Sequence, residues 1–408
     1  MLREQANRDW LAGLGATVIV AAAGSLALRP RNGVARSAAV AVGDYFDESD
    51  VERARGYERP QRVLRSANAA VAAATLVALV RLRAATALER RTAASAAADG
   101  AVVSLALTIA GLPLGSLARK RALEAGLATQ SWRGWALDVV RGGGLGAAFA
   151  GGGAAAVRLL MIRIGERWWL AAAAGSTVVM SVATFAAPVL LDPIFNDFTP
   201  LPEGTLRSSV LDVADRAGVT VNEVFSVDAS RRTSQVNAYV GGIGATRRIV
   251  LFDTLLSSFS AAQTRVVLAH ELAHVRHNDV RRGLLFGSIV ALPGAYAVAR
   301  LAERIDAVIG RSEPTTPPAL ALSSAIVAGC VGPFANQLSR ALERRADSFA
   351  LELTDDADAL IAFERQITRS NLADPDPPRW RSRLLATHPP AVERIGAAVA
   401  YAAARRPG

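Results

Sequence analysis

The chain has 408 residues, 51% of them hydrophobic, yet it carries 46 Lys plus Arg against 36 Asp plus Glu, a net charge of +10. Apolar runs separated by basic segments describe a membrane protein with positive charge in its loops. Nucleic-acid binding finds no support, because neither aromatic-basic interleaving nor zinc-finger spacing accompanies the charge, and the single Cys330 excludes an intrachain disulfide or a multi-cysteine metal site.

Seven stretches are long and apolar enough to cross a bilayer, which takes roughly 20 residues. They lie at about 10–28, 66–83, 93–117, 135–161 and 168–191, then at 281–302 and 318–338. The first is long and is followed by "RPRNG" instead of a small-residue cleavage site, so it reads as an uncleaved anchor. Ala-Gly runs such as "GGGLGAAFAGGGAAAV" suit close helix packing in lipid. Basic residues set the orientation. Arg29, Arg31, Arg36, Arg53, Arg55, Arg59, Arg62 and Arg65 precede the second span, and "ARKRALEAG" follows the third. Both loops are expected in the cytoplasm, which puts the N-terminus outside, the segment 192–280 and the C-terminus inside, and Ser312 in the last outward loop. Arg81, Arg83, Arg90 and Arg91, between spans two and three, run against this rule.

After the fifth span, Gln235 to Leu256 alternates like a β-hairpin with a glycine-rich turn, and Asp253 is placed to cap the helix that follows. A hairpin edge beside a catalytic helix can hold a peptide extended through backbone pairing. Ser260, with Gln263 three residues later, spells a capping box that opens a helix without Gly or Pro. On that helix "VVLAHELAHVRHNDV" holds three of the chain's four histidines. His270 and His274 are four apart and share a face. With Glu271 they form H-E-x-x-H, in which two imidazoles can hold zinc and the carboxylate can take a proton from water.

A catalytic zinc needs a third protein ligand. Six residues after His274 stands Val280, not histidine, and the three-residue offset of His277 turns its ring away from the shared face. Glu343 in "RALERRADSFALEL" is the better candidate, with Asp347 one turn further on to accept a ring N–H from a ligand histidine. Spacing alone reads equally as a solvated face. His388, in "LLATHPPAVERIGAA", reads by itself as a loop histidine before a Pro-Pro turn and a terminal helix.

In this order, "LLDPIFNDFTPLPEG", "NAYVGG", "IVLFDTLL", "HELAHVRHND", "ERRADSFA" and "THPPAVERI" resemble the type I CAAX prenyl protease family. These are integral-membrane gluzincin zinc metalloproteases, related to bacterial heat-shock proteases. "GYERPQR" is a looser match to a tyrosine-containing loop of the family. The resemblance implies a mainly α fold in which seven transmembrane helices form a chamber, joined to a zincin-like domain with a small β-hairpin or sheet. It implies one Zn2+ per chain on His270, His274 and Glu343, Glu271 as general base, Asp347 behind the ligands, and Asn237, Ala238 and Tyr239 on the substrate-binding edge. His388 would help to stabilise the oxyanion; Arg394 falls at the family's arginine with no role assigned.

The expected organisation is a five-helix membrane region at 1–191, a first protease segment at 192–280, two further helices at 281–338 and a second protease segment at 339–408. One lysine, Lys120, against many arginines and abundant alanine suggest a high-GC bacterium. The expected activity is therefore that of an endopeptidase in the bacterial plasma membrane, processing or clearing membrane proteins or peptides, with the bilayer as its other partner. A seven-helix receptor or scaffold with a structural zinc is the rival reading. It would call for four protein ligands where three are supplied. A transporter would call for an inverted repeat and intramembrane charges; the spans show no obvious repeat and few such charges.

Overall fold

The computed structural model of the protein describes residues 2–85, 92–242, 247–309 and 315–405; Arg90, Arg91, Ser312 and the hairpin-turn residues 243–246 lie outside them. Long helices dominate. The first five are α1 (Leu2–Leu28), α2 (Glu48–Ala85), α3 (Ala93–Glu124), α4 (Trp132–Ile164) and α5 (Trp168–Leu190). Local chemistry starts several of them. Glu48 and Asp50 place negative charge on the first turn of α2, the Thr92 side chain accepts from the Ser95 N–H at 3.2 Å, and Ser131 accepts from the Gly134 N–H at 3.1 Å.

Six helical stretches among the described residues are long and apolar enough to cross a membrane, and one of them, Trp132–Leu190, runs for 59 residues. A tight 3-10 turn at Gly165–Arg167 divides it into α4 and α5. Their outward faces are apolar and uncovered, with Ile19, Val140 and Phe149 each about two-thirds exposed or more at 69%, 70% and 66%, as lipid contact requires. Small residues bring α3 against α4: a Cβ on Gly100 would lie 2.5 Å from the Ala150 carbonyl oxygen.

The helices outrun the apolar stretches that announce them. α2 begins 18 residues before the apolar run expected from 66, so Arg53, Arg55, Arg59, Arg62 and Arg65 stand on a helix and not in a loop. Hydropathy marks where lipid is touched; backbone hydrogen bonding continues beyond it.

The polar part begins with α6 (Asp192–Phe195), β1 (Phe198–Pro200), α7 (Thr205–Arg216), β2 (Glu223–Val227), β3 (Ala238–Gly241), β4 (Arg248–Phe252) and α8 (Asp253–Ser258). The strands form one sheet in the order β1-β2-β4-β3, parallel between β2 and β4 and antiparallel elsewhere. β3 and β4 are the two arms of the expected hairpin, paired Ala238 to Leu251 and Gly241 to Arg248. Asp253 is the first residue of α8, and its carboxylate accepts from the N–H groups of Thr254 and Ser230 at 2.8 and 2.9 Å. Ile249, Val250 and Leu251 of β4 are fully buried, as a central strand covered on both faces demands.

Next come α9 (Ala261–Arg276), α10 (Asp279–Val308), α11 (Pro317–Thr354), α12 (Ala357–Ser370), α13 (Arg379–Leu384) and α14 (Ala391–Arg405). The capping box opens α9 as the sequence spells it, the Gln263 N–H donating to Ser260 Oγ at 3.3 Å and the Ser260 N–H to Gln263 Oε1 at 2.8 Å. Val266, Leu268 and Leu272 of α9 pack against Ile249, Leu251, Val210 and Leu351 to make the main apolar core.

Residues 34–38 cross this domain as a strap. The Ala35 N–H donates to Ser348 Oγ at 2.8 Å, Ser37 Oγ to the Glu393 carbonyl at 2.8 Å, and the Ala38 N–H to the Gly396 carbonyl at 2.9 Å. At Gly396 a Cβ would sit 2.2 Å from the Ala38 oxygen. Gly396→Ala is therefore expected to lift the strap, lower the melting temperature and speed proteolysis between residues 31 and 41. Gly43→Ala, whose Cβ would meet nothing within 4 Å, is the control and should change neither. Equal proteolysis rates in the two variants would contradict the packing argument.

Candidate metal centre

Two helices build the site. α9 presents His270, Glu271 and His274, while α11 crosses it and presents Glu343 and Asp347. Buried, apolar packing around Leu268, Leu272, Ala346 and Ala350 fixes the crossing. One ligand atom each from His270, His274 and Glu343 lies within 4.8 Å of the others. His270 Nε2 is 3.2 Å from Glu343 Oε2, and His274 Nε2 is 3.6 Å from Glu343 Oε1. The Glu343 Oε2 atom is buried without a hydrogen-bond partner. A buried carboxylate oxygen left so is costly, and a cation among these three side chains removes the cost. Two imidazoles and a carboxylate are the donor set for zinc. The residues fit the metal.

The opposite ring nitrogens are tied down. His270 Nδ1 is 2.9 Å from Asp347 Oδ1, and His274 Nδ1 is 3.0 Å from Asp279 Oδ2. With each Nδ1 donating to a carboxylate, each Nε2 is the ring atom left to face the centre. Burial alone would depress His270, but the neighbouring carboxylates of Asp347 and Glu343 push it up to about 10, so an arriving metal displaces a proton. Glu271 makes no hydrogen bond among the described residues, and burial raises its carboxyl above the ordinary range, against the pull of His270 and His274. It is a free, strengthened proton acceptor beside the cluster.

Two further charge pairs complete the surroundings. Asp279, the first residue of α10, also pairs with the buried Arg345. Arg394 grips both oxygens of Asp347, at 2.9 Å through Nε and 2.5 Å through Nη2, and its Nη1 lies 2.6 Å from Glu364 Oε1. Burial pushes the Glu364 carboxyl up to about 7, with Arg394 opposing. Asp347 was expected on spacing; Asp279, Arg345 and Glu364 were not. Asp279 had one signal, its place directly after the ligand helix in "RHND". Glu364 had none.

His388 arrives from a different element. Its Nε2 lies 3.5 Å from Glu343 Oε2, and its Nδ1 is 2.8 Å from Thr387 Oγ1. The loop that carries it is held to α11, because Arg340 donates to the carbonyls of Arg383 and Ala386 and Asn336 Nδ2 to that of Leu384 at 2.9 Å. His277 stays outside the cluster, its ring edge-on to Phe349 at 5.4 Å. β3 packs beside α9 and is an outer strand of the sheet. Asn237 is exposed just before it, Ala238 is buried, and the Tyr239 hydroxyl donates to Asp192 at 2.9 Å. Asn237 is thus open to solvent, whereas the Tyr239 hydroxyl is engaged with Asp192, the first residue of α6. A cavity of about 1290 Å³, lined by α2, α13, His388 and Arg394, opens beside the site.

Residues 200–402 match the family described as peptidase family M48, and residues 34–197 match the CAAX prenyl protease N-terminal region of five membrane helices. Over 301 residues the chain is 31% identical to the uncharacterized metalloprotease YhfN of Bacillus subtilis, an alignment covering 72% of this chain and 71% of that one. It is 32% identical to a CAAX prenyl protease 1 homolog of Oryza sativa over 56% of this chain and 54% of the relative. With CAAX prenyl protease 1 of Saccharomyces cerevisiae it shares 42% identity over 28% of this chain and 25% of the relative. These eukaryotic matches reach about half of the relative's length or less. The crystal structure of S. mikatae Ste24p has the same fold, with a TM-score of 0.74 at 20% identity, covering 98% of this chain and 99% of that one. Matched along nearly its whole length by these two regions, the chain belongs to the type I CAAX prenyl protease family, multi-pass membrane metalloproteases of peptidase family M48.

Proposed function

We propose that His270, His274 and Glu343 hold one zinc ion per chain and that the protein hydrolyses peptide bonds of membrane proteins or peptides in a bacterial plasma membrane. The observation that carries this reading is the buried, unpartnered Glu343 Oε2 facing the two imidazoles. Zinc held there would supply Lewis-acid polarisation of the scissile carbonyl and a lowered pKa for water, to around 7. The chain's own groups do the rest. Glu271 accepts the proton of the attacking water and passes it to the leaving amine. His388, with its Nδ1 turned to Thr387, has Nε2 free to donate to the oxyanion. The outer edge of β3 after Asn237 holds the substrate backbone extended.

Seven crossings follow from length. The 59-residue stretch would extend about 88 Å as one rod, far more than the roughly 30 Å hydrocarbon core, so α4 and α5 each make a crossing and with the other five helices wall a zincin-like site. Segments 1–191 and 281–338 are then membrane, 192–280 and 339–408 protease. The arginines of 29–65 and of "ARKRALEAG" keep the zinc domain in the cytoplasm. Relatives are named for CAAX prenyl substrates; for a bacterial chain, cytosolic tails and loops of membrane proteins are the fitting class.

Purified protein in detergent is expected to contain about one zinc per chain, and His270→Ala to lose most of it. Full metal occupancy in that variant would remove His270 as a ligand. Glu271→Gln should keep zinc and fold while activity falls at least 10² to 10⁴-fold, roughly the share of general acid–base catalysis; His388→Ala should lower kcat with zinc retained. Near-normal turnover by Glu271→Gln, with His274→Ala inactive as the contamination control, would end the general-base assignment.

Orientation is read with single cysteines in a Cys330→Ser background. Gly33→Cys should resist a membrane-impermeant thiol reagent in intact cells, and Glu166→Cys, in the turn between α4 and α5, should react. The reverse pattern would invert the topology and with it the cytosolic substrate class.

A further inference from the structure

Behind the ligand histidine stands a row of charged groups that crosses three helices. Asp347 comes from α11, Arg394 from α14 and Glu364 from α12, with Asp347 and Glu364 almost entirely buried at 3% side-chain exposure each and Arg394 at 13%. Arg394 Nη2 also lies 3.5 Å from His270 Nδ1. The guanidinium therefore competes with the imidazole for Asp347 Oδ1, which receives both. Alone with Arg394, Asp347 would be a neutral pair, and its hold on the His270 N–H would be weakened.

We propose that Glu364 is a positioning residue for the metal centre, which pairs with Arg394 and so steadies the two-point grip of Arg394 on Asp347, the carboxylate that orients the His270 ring. Arg394 lines the same cavity as His388 and Glu364, and with its Nη1 released it can swing toward that opening, giving up its two-point grip on Asp347. No other acidic side chain among the described residues is recorded against Nη1.

The inference rests on the zinc reading above, and the two are tested separately in one set of measurements. Zinc content of the wild-type protein reports the metal assignment; the ratio of zinc affinities between variant and wild type, from competition with a chelator, reports Glu364. Glu364→Gln, which keeps the shape and removes the charge, is expected to weaken zinc binding 10- to 100-fold, the range for groups hydrogen-bonded behind a ligand. It should alter the visible spectrum of the Co2+-substituted protein and lower kcat at zinc saturation with KM unchanged. Glu364→Asp, which restores the charge, should recover most of the affinity. Melting temperature and detergent gel filtration identify any variant that fails to fold, and Glu364→Met then provides an uncharged side chain of similar length. Zinc affinity and kcat within twofold of wild type in a folded, uncharged variant would overturn the proposal. A change confined to KM would overturn it too, because it would place Glu364 on the substrate and not behind the metal.

Discussion

The crossing of α9 and α11 is the constraint on which the rest of the molecule depends. It brings two imidazoles from one helix against a carboxylate from the other in a buried place where none of these groups would settle alone. α9 is separated from α10 by only two residues, one of them Asn278 in the left-handed conformation with φ 56°. α11 is continuous from Pro317 to Thr354, with Glu343 in its final third. α11 thus carries Glu343 on the extension of a helix of spanning length, and α9 leads directly into another, α10, which sets the distance between the three side chains. A loop-borne third ligand would leave that distance free; a helix 38 residues long does not.

Burying so much charge demands pairing, and the pairing has two branches. His270 leads to Asp347, Arg394 and Glu364, and His274 leads to Asp279 and Arg345. Removing one member of a buried pair leaves a charge without compensation, at a cost of about 3–5 kcal/mol. The branches therefore rigidify as well as polarise. They also recruit the outlying parts of the fold: Asp279 fixes α10 to the ligand helix, Arg394 fixes α14, and the 34–38 strap bonds to Ser348 and to Glu393, each adjacent in sequence to a member of the first branch. The linker after the first membrane helix is in this way tied to the back of the metal site.

The elements legible in the sequence were those whose signal is local. The H-E-x-x-H helix declared itself through a capping box and an uninterrupted run, and the hairpin arms through alternation; both stand where expected. Glu343 and Asp347 were legible because a four-residue offset puts two carboxylates on one face, although that offset alone could not separate a ligand pair from a solvated one. What hydropathy could not mark was where helices end. It placed Glu343 just beyond a span at 338 when the same helix continues for 16 more residues, because apolar composition reports contact with lipid while the backbone ladder needs none. The tight turn at Gly165–Arg167 falls in the gap between the expected spans 135–161 and 168–191. Glu364 and Arg394 are 30 residues apart on different helices, so their pairing is a tertiary fact with no periodic trace.

The position of His388 shows how such a site draws on distant sequence. The sequence reads it as a loop histidine, which fits its 62% side-chain exposure. What takes it to Glu343 is Arg340, buried on α11 one turn before the ligand, which receives the loop through the carbonyls of Arg383 and Ala386. A guanidinium has donors enough to bind two carbonyls at once, and its place on the ligand helix gives the loop the same frame of reference as the metal set. One helix therefore carries Glu343, the carboxylate that holds His270 Nδ1 and the clamp for the exposed histidine, all within eight residues from Arg340 to Asp347. The backbone of His388 is thus held from behind while its side chain lines the cavity beside the site.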